Sequence, residues 1–168
     1  HKKALQAISQ NKFKNEITPI EFNGTMIGTD EGPREPNVEK IKSLEPAFDA
    51  NGTITAATSS PISIGAAALL MSNSRDNAQF KVRARAVSGV DWLKMGMGPL
   101  PATEKVLKKS GLTINDIDVI ELNEAFAAQS LYVIRKGGWD ADKINLNGGA
   151  IALGHPLGCS GVRIIITL

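Results

Sequence analysis

The stretch "NGGAIALGHPLGCSG", residues 147–161, limits what this chain can fold into more than any other, because five of its fifteen positions are glycine. Glycine at that density weakens a helix or strand interior, and it belongs where backbone turns or comes unusually close to another group. The segment before it, "KINLN", has strand character; the segment after it reads as a helix beginning near Gly158 or Ser160. A strand, a tight glycine passage and a helix must therefore follow one another. The passage is not a phosphate-binding P-loop, since no lysine follows at the required spacing. It is not a dinucleotide fingerprint either, since "GHPLGCSG" lacks a paired GxG ahead of the helix.

The same order recurs upstream. "DVIEL" reads as a buried strand running into the helix "NEAFAAQSLYVIRKGG", and "GTITAATSSPISIGAAALLMSN" as a strand, a Ser/Thr loop and a buried Ala-rich helix. "KVRARAVSGVD" alternates as a half-exposed strand does. "PATEKVLKKSG" has a proline for its first turn, late lysines and a glycine for its cap. Near the start, residues 1–12 form an amphipathic pattern with Ala4, Leu5 and Ile8 on one side. "EITPIEF" suits an edge strand, residues 23–37 a loop, and "VEKIKSLEPAF" a short helix stopped by Pro46. Strands alternating with helices predict an α/β fold with a mixed or parallel sheet.

Composition narrows the function. The chain is 42% hydrophobic and 21% charged, as globular proteins are. Its longest apolar runs, "AAALLM" and "IIITL", are too short to span a bilayer. A net charge of +2 and a single tyrosine leave no basis for nucleic-acid binding, while a phosphate-bearing small molecule stays open. The one cysteine, Cys159, excludes an internal disulfide and fits a reducing compartment. The chain opens at His1 inside a helix-like pattern and closes on "GVRIIITL" without a stop signal, which reads as an internal stretch of a longer protein.

His155 is the chemically informative residue of the glycine passage. Pro156 drives it into extended backbone, and Gly154 leaves room for another chain or a ligand. The following helix begins within one turn, with Ser160 available as its cap; its positive end favours a neutral imidazole and a nearby anion. A neutral imidazole there suits a general base or an oxyanion donor, and a loop histidine bonded to backbone is the plainer alternative. Cys159, four residues on, reads as a packed small residue rather than a nucleophile. Asn123 stands at a strand-to-helix junction, either as an N-cap or as an amide projecting where α/β sheets bind ligands. Glu124 is either catalytic or simply well placed near a positive helix end. Phe126 reads as core, and Ser59 and Ser60 as turn residues, with ligand contact the alternative for each.

Four motifs, "LEPAFDANGTITAATSS", "MGMGPLPATEKVLKKSGL", "IELNEAFAAQ" and "NLNGGAIALGHPLGCSG", together resemble the thiolase family in order and spacing across essentially the whole chain. The wording is most similar to the degradative 3-ketoacyl-CoA thiolases of fatty-acid β-oxidation, with acetoacetyl-CoA thiolases close. The resemblance implies a five-layer αβαβα fold. Residues 1–62 would end the loop domain that carries coenzyme A, 63–83 would return to the N-terminal domain, and 84–168 would begin the C-terminal domain. It implies thiolytic cleavage of 3-ketoacyl-CoA to acetyl-CoA and a shortened acyl-CoA, with coenzyme A as substrate and no metal or bound cofactor. His155 would activate the nucleophilic thiol, and Asn123 would orient a water in the oxyanion hole. Ser60 would touch the pantetheine arm; Phe48, Ala56, Ala125 and Phe126 would wall its tunnel, with Gly154 beside the ligand and Arg34 near the nucleotide. A homodimer or homotetramer is implied, with membership of a β-oxidation multienzyme complex open and no membrane or nucleic-acid partner. The implied compartment is the bacterial cytosol, with mitochondrion and peroxisome as alternatives.

The departures from the family pattern also carry information. Both family cysteines, the nucleophile upstream and the proton shuttle downstream, fall outside these residues, and Cys159 matches neither. Ile64 stands where the family has an acid, Glu45 where a basic residue is common, and the stretch between "GAAA" and "GVD" is shortened. A non-catalytic acyl-CoA or lipid carrier and a structural subunit completed by another chain are the competing classes. Retention of both His155 and Asn123 favours an enzyme over a carrier, which needs neither.

Overall fold

A computed structural model describes residues 1–168. Helix α1 (Lys2–Ser9) forms where the amphipathic pattern predicts, but its buried face is Ala4 and Ala7, with Leu5 and Ile8 only half-buried. Close approach explains the shift: Gly148 packs against Ala4 so tightly that a Cβ there would lie 2.7 Å from the Ala4 Cβ. A larger side chain at either position would hold the two segments apart.

The predicted edge strand begins only after Pro19, as β1 (Ile20–Phe22). It pairs antiparallel with β2 (Thr25–Ile27), which lies inside the segment expected to be loop. Asn23 and Gly24, both at positive φ (50° and 75°), supply the two-residue turn that the hairpin needs. Helix α2 (Val38–Lys42) is capped by the Asn37 side chain on the Lys40 N–H, and it stops before Pro46 as expected.

Residues 52–91 depart from expectation. The Ala-rich helix predicted after the Ser/Thr loop does not form, and residues 81–91 do not form a strand. A helix of that length draws its stability from packing an apolar face, and here Ile62, Ile64 and Leu70 are fully exposed. A strand exists only where a neighbouring strand takes its hydrogen bonds. The Arg85 and Val87 carbonyls instead accept from the Lys109 and Lys105 ammonium groups of helix α3 (Pro99–Ser110).

From residue 99 onward the predicted alternation is recovered. Helix α3 carries prolines in its first turn and ends on Gly111 at φ 68°; helix α4 (Ala127–Gly137) ends on Gly138 at φ 63°. Both ends take the left-handed cap that glycine adopts without steric cost. On either side of α4 the extended segments at Ile120 and Ile144 bridge in parallel, through Ile120 N–H to Lys143 O and Asn145 N–H to Ile120 O, each 2.9 Å. This is a β-α-β crossover reduced to a single bridge. Leu122, Val133 and Ile144 form its buried core, with Leu100, Ile134 and Trp139 packed around them. Short helices α5 (Ala150–Leu153) and α6 (Ser160–Thr167) complete the chain, with the glycine passage folded around them. No helix is long and apolar enough to cross a membrane.

Candidate active site

The site is built where the two extended segments end beside that core. Asn123 follows Leu122 directly. It is not an N-cap, because α4 starts four residues later at Ala127 with Phe126 in the capping position. Its amide therefore has no helix to serve. The Asn123 Nδ2 lies 3.3 Å from His155 Nε2, and its Oδ1 is buried with no hydrogen-bond partner.

His155 is held on three sides. Its backbone N–H donates to Ser63 Oγ at 3.3 Å, its Nδ1 lies 2.6 Å from Ser160 Oγ, and its Nε2 meets the Asn123 amide. Ser160 does not cap α6 as predicted; that position is Cys159, and Ser160 Oγ–H donates to Pro156 O at 3.1 Å. With its proton committed to that carbonyl, Ser160 receives the Nδ1–H of the ring, leaving the Nε2 lone pair to accept from Asn123. The Nδ1–H tautomer satisfies all three contacts at once.

The other sequence-predicted positions fall into a cluster and two outliers. Residues 58–60 run antiparallel to 125–127: Ser60 N–H donates to Ala125 O at 3.0 Å, and Ala127 N–H to Thr58 O at 2.8 Å. Phe48 meets Phe126 edge to face, ring centroids 6.0 Å apart and planes at 78°, a favoured aromatic geometry. The same loop then brings Ser63 to His155. Gly154, at φ 95°, is buried, and the space that its missing side chain opens is occupied by Ser63 Oγ. Ala56 is exposed at the start of this loop, and Arg34 is exposed beside His1, whose Nδ1 accepts from the Arg34 N–H at 3.4 Å. Cys159 is buried at the start of α6, only 7% exposed.

Sequence reasoning missed Ser63, the role of Ser160, and Asn145. Asn145 is 4% exposed at φ 47°, with its side chain bonded to both backbone groups of Leu122: Leu122 N–H to Oδ1 and Nδ2 to Leu122 O, each 2.8 Å. A polar residue between Ile144 and Leu146 in the strand-like "KINLN" was the available signal, since a buried amide must find partners.

Behind the pair lies an electrostatic group. Arg163 of α6 faces Glu121, Nη1 to Oε2 3.8 Å, and Glu121 is nearly buried. Loss of hydration pushes the Glu121 carboxyl up to about 7, against the pull of Arg163 and with a push from the neighbouring carboxylates Glu16 and Glu124. Burial likewise raises Asp30, partly offset by Arg163. The folded chain therefore binds the Glu121 proton more tightly than the unfolded chain. The resulting stability is complete below about pH 4.5 and is lost as pH rises through about 7. After solvent screening the loss is on the order of 1–2 kcal/mol. Glu121→Gln is expected to remove that part of the pH dependence and to unfold at higher denaturant than wild type at pH 8. Parallel urea midpoints for the two proteins from pH 4.5 to 8 would contradict it.

The family described as "Thiolase, N-terminal domain" matches residues 1–75, and "Thiolase, C-terminal domain" matches residues 77–168. A protein of Shewanella sp. strain ANA-3 named 3-ketoacyl-CoA thiolase is 51% identical, covering 100% of this chain and 48% of that one. The solved structure of the Bacillus anthracis acetyl-CoA acetyltransferase superposes with a TM-score of 0.92 at 39% identity, over 100% of this chain and 45% of that one. Human mitochondrial 3-ketoacyl-CoA thiolase in complex with CoA superposes with a TM-score of 0.82 at 39% identity, over 99% and 44%. The chain spans about half the length of the curated relatives it matches. Its backbone follows the thiolase fold, even where the layered sheet is represented only by isolated bridges. With matches along its whole length in sequence and in backbone path, the chain belongs to the thiolase family.

Proposed function

We propose that this chain contributes the histidine–asparagine part of a thiolase active centre, in a protein that cleaves 3-ketoacyl-CoA with free CoA to acetyl-CoA and a shortened acyl-CoA. One observation carries the reading: the Asn123 amide lies 3.3 Å from a His155 ring whose other nitrogen is anchored by Ser160. That leaves Nε2 as the base. It takes the proton of an acyl-accepting thiol, and the thiolate adds to C3 of the substrate. The C2–C3 bond breaks, its electron pair passes into the acetyl-CoA enolate, and that carbon is then protonated by a second acid. The new Nε2–H faces the enolate oxygen, with Asn123 orienting a water towards the same atom; its Oδ1, buried without a partner, suits a water donor. The deprotonated second acid then takes the thiol proton of free CoA, whose thiolate attacks the acyl-thioester, and the cysteine thiolate released recovers its proton from Nε2.

Cys159, buried at the start of α6 and the chain's one cysteine, is not the acyl acceptor in this reading; the nucleophile and the second acid lie outside residues 1–168. The pantetheine arm runs along the loop of Ser60 and the Phe48–Phe126 pair, past Ala56, Ala125 and Gly154, with Arg34 towards the nucleotide. The CoA complex of the human relative supports coenzyme A as the ligand. Residues 1–62 close the CoA-carrying loop domain, 63–83 return to the N-terminal domain, and 84–168 open the C-terminal domain. We place the protein as a homodimer or homotetramer in the bacterial cytosol, a compartment that fits the bacterial origin of its relatives.

Asn123→Ala tests the reading. Turnover, assayed with the acyl-accepting cysteine present, is expected to fall about 10²–10³-fold with acyl-CoA binding retained; undiminished turnover would reject it. The similarity to the B. anthracis acetyl-CoA acetyltransferase favours, as a second reading, an enzyme that cleaves acetoacetyl-CoA or forms it by condensing two acetyl-CoA with release of CoA. Comparing kcat/KM for acetoacetyl-CoA with that for longer 3-ketoacyl-CoA substrates separates the two.

A further inference from the structure

We infer that Glu124 is a positioning residue, whose carboxylate clamps the segment carrying His155 onto the strand end carrying Asn123. The inference rests on the proposed pairing of these two residues. Glu124 Oε1 accepts from Asn145 Nδ2 and Oε2 from the Ile151 N–H, both at 3.2 Å. Asn145 in turn grips both backbone groups of Leu122 at 2.8 Å. Leu122 and Glu124 are the two neighbours of Asn123, so the residue bearing the amide is fixed on both sides. Ile151 lies in α5, whose end at Gly154 leads directly into His155. One carboxylate therefore joins the two segments whose side chains meet at 3.3 Å.

Gly149 is a second, independent sign that this approach is built in. A Cβ at that position would run into the Glu124 carboxylate, although the Gly149 backbone (φ −125°, ψ −172°) is open to any residue. Glycine is therefore needed there for the carboxylate and not for the backbone. Alanine at 149 would displace the clamp without deleting a hydrogen-bonding group.

Ring ¹⁵N NMR of the completed protein reads His155 directly, its signals assigned by their loss in His155→Gln. Wild type is expected to show Nδ1 protonated and Nε2 as a hydrogen-bonded acceptor. Glu124→Gln places an amide N–H against one of the two donors, and Gly149→Ala pushes the carboxylate aside. Both are expected to move the Nε2 signal to that of an unbonded acceptor and to raise an Nε2–H population, with the unfolding transition kept. A His155 signature unchanged in both folded variants would overturn the inference. So would loss of the folded state in both, which would make Glu124 a residue of the fold. The readout needs no turnover: an altered signature in a protein that shows no thiolase activity when completed would refute the enzymatic reading and leave the clamp standing.

Discussion

In the completed protein, if it is the proposed thiolase, His155→Ala is expected to lower thiolytic turnover by about 10³–10⁴-fold, with acyl-CoA binding kept within a few-fold. The ring serves twice in the proposed reaction, first as base towards the thiol and then as donor towards the enolate oxygen. General-base catalysis is typically worth about 10²–10⁴ and an oxyanion donor about 10²–10³. The two contributions belong to one side chain and do not multiply, because a reaction stalled at thiol activation never reaches the enolate. His155→Gln restores a hydrogen-bonding side chain but no base, so it is expected to remain close to alanine. Cys159→Ala is the contrast: with its thiol buried at the start of α6, turnover is expected to stay near wild type. Activity lost in Cys159→Ala and kept in His155→Ala would reverse the assignment of roles.

Asn145→Ala is expected to destabilise the fold by about 4 kcal/mol, as read from urea or guanidinium unfolding. The side chain satisfies the Leu122 N–H and C=O inside the Leu122–Val133–Ile144 core, and removing it leaves both buried groups without partners. Each orphaned group costs about 1–3 kcal/mol, and alanine at φ 47° adds about 1 kcal/mol of backbone strain. Against a typical total of about 5–15 kcal/mol, that loss removes between about a quarter and four fifths of the stability. A loss below about 1 kcal/mol would show that water replaces the amide and that this part of the core is open.

Much of the helical framework was legible along the chain. Pro101 early in α3, Gly111 and Gly138 at helix ends, and Pro46 after α2 act through their own φ angles and missing donors, so their effect is local. Residues 52–91 were misread because alternation states which face would be buried, not whether a partner surface is present. Val87 and Ile64 have the pattern of packed residues and are exposed.

The same division holds at the site. Pro156 and Gly154 mark His155 as a histidine in extended backbone with space beside it, because both constraints are covalent and act on the adjacent residue. The sequence by itself also determined the thiolase pattern of four ordered motifs. Only the tertiary structure decided that Ser160 serves the imidazole rather than the helix end, that Ser63 fills the space beside Gly154, and that Asn145 stands in for a strand partner of Leu122. Each of these is a hydrogen bond between atoms brought together by folding. Which donor meets which acceptor is settled by geometry over about 3 Å, a scale that composition and spacing do not reach.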